Sequence, residues 1–74
     1  MADRVRFTHI KMCDESQVQV TTLRKKSGKY VTNVFRGQGE EGNVYSKNKN
    51  NATTFHKSVV DGLLVNCGNV TYDN

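Results

Sequence analysis

The chain has 74 residues, a mass of 8.3 kDa and a net charge of +4, with 11 Lys and Arg against 7 Asp and Glu. Leu, Ile, Val and Phe make up 17 of the 74, a little above the roughly one-fifth below which chains tend to stay unfolded. That composition permits one small domain with a thin core and excludes a doubly wound dinucleotide fold, a barrel enzyme or a two-domain enzyme with a cleft.

In residues 4–12, Val5 and Phe7 alternate with Arg4, Arg6 and Thr8, the period of a β-strand. After Thr8 the apolar phase changes to Ile10 and Met12, which predicts a β-bulge or a strand partly covered on both faces. Asp14, Glu15 and Ser16 read as a polar turn. Residues 17–24 and 29–36 are two β-rich runs joined by a short basic stretch. Lys26, Ser27 and Gly28 fit a three-residue hairpin loop with Gly28 in the left-handed region, which glycine enters without steric cost. That register pairs Val20 with Val34, Thr22 with Thr32 and Leu23 with Val31. It sets Val18, Val20, Thr22, Tyr30, Thr32 and Val34 on the expected core face, and Gln19, Thr21, Leu23, Val31, Asn33 and Phe35 on the other.

Residues 37–51 are rich in Gly and Asn and show no period, so they read as a mobile loop, with Val44 and Tyr45 as its one anchor. Residues 52–66 predict a helix. Ala52, Phe55, Val59, Val60, Leu63 and Leu64 follow helical spacing, Asn51 fits an N-cap and Gly68 a stop. Gly62 inside that helix suggests a close approach to the sheet. Residues 69–72 could add a short last strand. The expected fold is α+β: a three-stranded antiparallel sheet, with room for a short fourth strand, packed against one C-terminal helix in two layers.

The chemistry-bearing groups are few. Gly37, Gly39 and Gly42 match G-x-G-x-x-G, but Glu40 and Glu41 bring negative charge to where a phosphate would sit, and no helix is predicted to start there. His9, Cys13, His56 and Cys67 are the complete set of imidazoles and thiols. They lack the tight C-x2-C pair of common zinc sites, so no metal is expected. With no apolar signal segment at the start and no apolar run of ~18 residues, both thiols are expected reduced and the protein cytoplasmic, without membrane contact. A Cys13–Cys67 disulfide would require the first strand to end beside the helix terminus. His56 falls in the apolar stripe and reads as a core or interface histidine holding one hydrogen bond. Asn51-Ala52-Thr53 and Asn69-Val70-Thr71 are sequons, at about the frequency chance gives an asparagine-rich chain. The carboxylates fall in turns, termini or the polar helix face, and Ser58, His56 and Asp61 have no nucleophile–base–orienter spacing. The expectation is a non-enzymatic protein with no cofactor.

Charge is uneven: residues 1–36 carry eight basic and three acidic groups, residues 37–74 three and four. Arg24, Lys25, Lys26 and Lys29 crowd the hairpin tip, with Tyr30 beside them for stacking. Arg4, Arg6 and Arg36 extend the patch if their strands neighbour the hairpin. The expected function is a basic β-hairpin docking on an anionic partner, above all nucleic acid, DNA or RNA. The alternative is a protein-binding accessory or inhibitor module of viral or phage type, or a homodimer. That module would use the long loop and the sheet face carrying Leu23, Val31, Phe35 and Tyr45.

Overall fold

The computed structural model describes residues 3–37 and 39–74, with Glu40 and Glu41 described in their backbone only. Among these residues the elements run β1 (Asp3–Met12), β2 (Gln17–Arg24), β3 (Tyr30–Arg36), β4 (Gly39–Ser46), α1 (Lys49–Val65) and β5 (Gly68–Asp73). The strands form one antiparallel sheet in the order β4-β3-β2-β1-β5. The helix connects the two edges and packs on one face. The class is α+β as expected, but the sheet has five strands rather than three.

The hairpin register is as predicted: Val20 faces Val34, Thr22 faces Thr32 and Leu23 faces Val31. Gly28 has φ +89°, and its N–H donates to the Lys25 carbonyl at 2.9 Å, closing the turn. Val18, Val20, Thr22 and Thr32 are fully buried, so this is the face the helix covers.

The predicted mobile loop is corrected at its centre. β4 continues the meander, pairing Tyr45 with Val31, Val44 with Thr32 and Asn43 with Asn33. Its glycines and asparagines carry no alternation to read, and as an edge strand it needs no second apolar row. The bulge also moves. Along β2 the register shifts between Arg4 and Arg6, so Thr8 and Ile10 stay in phase on the helix side. Phe7 belongs to the opposite face, where Tyr72 and Arg4 lie against it.

The helix starts earlier than predicted. Asn48, not Asn51, is the N-cap, and its side chain accepts the Asn51 N–H at 2.8 Å. Ala52, His56, Val60 and Leu63 are its buried positions. Ile10, Val18, Val20, Val60 and Leu63 make the core, with Met12, Val34 and Val59 packed against it. Gly62 has open space around it, whereas Gly68 is the position of close approach. A Cβ at Gly68 would stand 2.8 Å from both the Ile10 Cγ2 and the Leu63 carbonyl oxygen. Gly68→Ala is therefore expected to destabilise the fold by about 1–3 kcal/mol, read as a lower urea midpoint, while Gly62→Ala lowers it far less or raises it.

The expectation of two reduced thiols is overturned. β5 pairs antiparallel with β1, and the Cys13 N–H extends that ladder to the Cys67 carbonyl at 2.9 Å. The two Cα atoms come to 5.6 Å and the residues form a disulfide across 54 positions of sequence. The cytoplasmic expectation loses the support it drew from free thiols. Among the described residues no helix is long and apolar enough to cross a membrane. Closing a loop of this length removes entropy from the unfolded chain worth about 4 kcal/mol. Reduction, or Cys13→Ser with Cys67→Ser, is expected to lower unfolding stability by an amount of that order. A denaturant titration with and without reductant measures it, and equal midpoints would remove the bond from the fold's stability.

Candidate functional site

The sheet has two unlike faces. On the covered face a polar cluster lies beneath the N-terminal half of α1. The His56 ring, fully buried, meets the Thr8 hydroxyl through Nε2 at 2.8 Å and the Thr22 hydroxyl through Nδ1 at 2.8 Å. Thr22 in turn meets Thr32 at 2.9 Å. Thr8 donates to the Asp73 carboxylate at 2.9 Å, which uses its one proton. Its oxygen must therefore accept from His56 Nε2–H, and Nδ1 of the neutral ring must accept from Thr22. Asp73 also takes two hydrogen bonds from Arg6, at 3.2 and 2.8 Å. These bonds from Arg6, with that from Thr8, hold the Asp73 carboxyl below its ordinary value, and Arg6 is raised in return. His56 is thus a core residue as expected, with two hydrogen bonds rather than one.

The open face is set by the alternation opposite those residues. β1 contributes Arg4, Phe7, His9 and Lys11. β2 and β3 contribute Gln19, Thr21, Leu23, Val31, Asn33 and Phe35, and the edges add Tyr45 and Tyr72. Phe7 and Tyr72 form a tilted pair with centroids 5.8 Å apart. The Arg4 guanidinium lies 5.2 Å from the Phe7 centroid, and the Lys25 ammonium lies 4.9 Å from that of Tyr45. Lys25 also donates to the Tyr45 hydroxyl at 3.2 Å. His9 is held by Thr71 and Gln17.

The sequence-predicted basic set is divided between these faces. Lys25 and Arg4 belong to the open one. Lys26 and Lys29 are exposed at the turn between the faces. At the tip, however, Lys25 joins Arg24, Lys26, Gly28, Tyr30 and Asp3 around one hollow of about 320 Å³, and Asp3 pairs with Arg24 at 3.4 Å. Arg6 is committed to Asp73, and Arg36 sits at the far end of β3 opposite Val18, so neither is gathered with the tip. The apolar set proposed for a protein interface, Leu23, Val31, Phe35 and Tyr45, does share the open face. Val31, however, is only 4% exposed, lying in register between Leu23 and Tyr45.

The remaining sequence candidates are not assembled. Cys13 is bonded to Cys67, His56 is in the core and His9 is on the opposite face, so the four-ligand set is scattered. Among the described residues no group of three or more His, Cys, Asp or Glu could hold a metal. Ser58 and Asp61 are exposed on the helix while His56 points inward. Of the G-x-G-x-x-G stretch, Gln38 lies outside the described residues, and Gly39 and Gly42 belong to β4 rather than to a loop before a helix. Residues the sequence reading passed over are Phe7 and Lys11, whose face follows from the register of β1 on β2, and Tyr72, whose face follows from the pairing of β5 with β1. No known protein family, curated protein or solved structure matches this chain.

Burial is the main cause that pushes the His56 pKa from 6.5 down to about 4. Above pH 6.5 the ring is neutral in both folded and unfolded chains and contributes no slope. Between 6.5 and 4 the unfolded chain binds the extra proton, so stability falls with falling pH, by about 3 kcal/mol once pH is below 4. Urea midpoints across this range are expected to show that loss, and His56→Gln to flatten it. An equal slope in the variant would assign the titration to other groups.

Proposed function

We propose that this protein is a non-enzymatic binding module that holds nucleic acid at the lysine-rich end of the β2–β3 hairpin. The observation that carries this reading is the state of its cations. Lys25, Lys26 and Lys29 sit on one tight turn, and no described carboxylate pairs with any of them. Only Arg24 meets an acid, in an exposed pair with Asp3 whose worth is at most about 1 kcal/mol. A phosphate backbone can displace such a contact, whereas the half-buried Arg6–Asp73 pair keeps its hydrogen bonds. Crowding three ammonium groups at one hairpin end raises local potential and favours a polyanion over a single carboxylate.

The protein-docking reading draws less support. Val31 is already covered and Leu23 and Phe35 are only partly exposed, which leaves little apolar area for a partner's anchor. The Cys13–Cys67 bond favours surroundings oxidising enough to keep it, so binding is measured with the bond intact.

Three lysines, each neutralising one phosphate, would contribute about −2 to the log–log salt slope on a single strand. Lys26→Glu with Lys29→Glu is expected to weaken binding by tenfold or more at low salt and to make the slope shallower by about 1.4. Failure of the wild-type protein to bind any DNA or RNA at low salt would overturn the reading.

A further inference from the structure

We infer that the open sheet face is a stacking platform for a single-stranded nucleic acid, with bases seated on Tyr45 and the Phe7–Tyr72 pair. The inference rests on the nucleic-acid reading above and adds which form of nucleic acid is held and by which surface.

Three observations point the same way. The first is charge segregation. The described carboxylates Asp3 and Asp73 lie in register with helix-side residues, Asp61 is on the helix, and Asp14 and Glu15 are in the β1–β2 turn. The open face carries Arg4 and Lys11, with Lys25 reaching over Tyr45. At the β4 edge Glu40 stands in register with Phe35, an open-face position, so the cations gather at the Tyr45 and Phe7 sides of the face.

The second is ring exposure. Tyr45 is 56% and Tyr72 52% exposed, each on an edge strand with its ring on the uncovered face. Isolated exposed tyrosines are common, but these two have cations placed against the aromatic cluster: Lys25 over Tyr45, and Arg4 over Phe7 beside Tyr72. A ring next to a cation meets a base and its phosphate together.

The third is spacing. Tyr45 on β4 and Phe7 on β1 lie three strand intervals apart across the sheet, roughly 14 Å, and two register positions apart along it, with Tyr72 one strand further on β5. Between them the face presents Thr21, Asn33 and Gln19, short polar groups suited to base edges and to a 2′-hydroxyl. A duplex offers no free base faces to such rings, whereas an unpaired strand laid across the sheet does. Lys29 and Lys26 at the hairpin end then meet the backbone as it leaves the face.

The test is fluorescence anisotropy with labelled DNA and RNA 12-mers, single-stranded and duplex, at low salt. Wild type is expected to bind a single strand at least tenfold tighter than the duplex of the same sequence. Tyr45→Ala and Tyr72→Ala are each expected to weaken single-strand binding by roughly five- to a hundredfold with little effect on duplex. Tyr45→Phe and Tyr72→Phe should retain it. Both rings are half in solvent, and equal melting temperatures would verify that the variants fold.

Duplex bound as tightly as single strand, or alanine variants that bind like wild type, would overturn the platform. If Lys26→Glu with Lys29→Glu still abolished binding in that case, the hairpin reading would stand without it. No binding of any oligonucleotide would remove both. A wild-type dimer that Tyr72→Ala converts to monomer would instead make the face a contact between copies and overturn the inference.

Discussion

A run of hydrogen bonds from Thr32 through Thr22, His56 and Thr8 to Asp73 and Arg6 crosses four strands and the helix. Every member has one role the others dictate. Because Asp73 can only accept, Thr8 must donate to it, His56 must donate to Thr8, and Thr22 must donate to His56. A buried imidazole would otherwise cost the fold an unsatisfied polar group. The sheet face bearing the three threonines is consequently the one α1 covers, and the choice of face is chemical as well as hydrophobic.

That choice divides the charge of the molecule. Asp73 and Arg6 are drawn to the covered side, where each satisfies the other. The opposite face is left with Arg4 and Lys11, with the ammonium of Lys25, and with the rings those cations approach. A net charge of +4 spread evenly would say little about partners. Sorted by the helix, it leaves Arg4 and Lys25 against the rings of Phe7 and Tyr45 on the open face.

The parts of this arrangement that the sequence made legible are those governed by local rules. Gly28 and the β-branched alternation around it specify the hairpin, and the spacing of Ala52, His56, Val60 and Leu63 specifies the helix. What escaped depends on pairing at a distance. β4 is built from glycine and asparagine, and it is a strand because β3 offers it a ladder, not because its side chains demand one. β5 has too few residues to declare a partner, and without its place beside β1 the approach of Cys67 to Cys13 cannot be read. The tip lysines and the rings of Phe35 and Tyr45 were visible, whereas Phe7 and Tyr72 on the open face were not. The register of β1 on β2 decides which side Phe7 takes.

The two margins of the sheet are secured unequally. β5 is tied to β1 by backbone pairing, by the Cys13–Cys67 bond and by the contacts of Asp73. β4 is joined to β3 by its ladder, and between it and α1 runs a groove of about 330 Å³ lined by Val34, Val44, Phe55 and Val59. Local opening is therefore expected to start at the β4 margin sooner than at the disulfide side. A ligand bridging Tyr45 and Tyr72 would span the weakest and the firmest strands at once, so that occupancy and rigidity rise together.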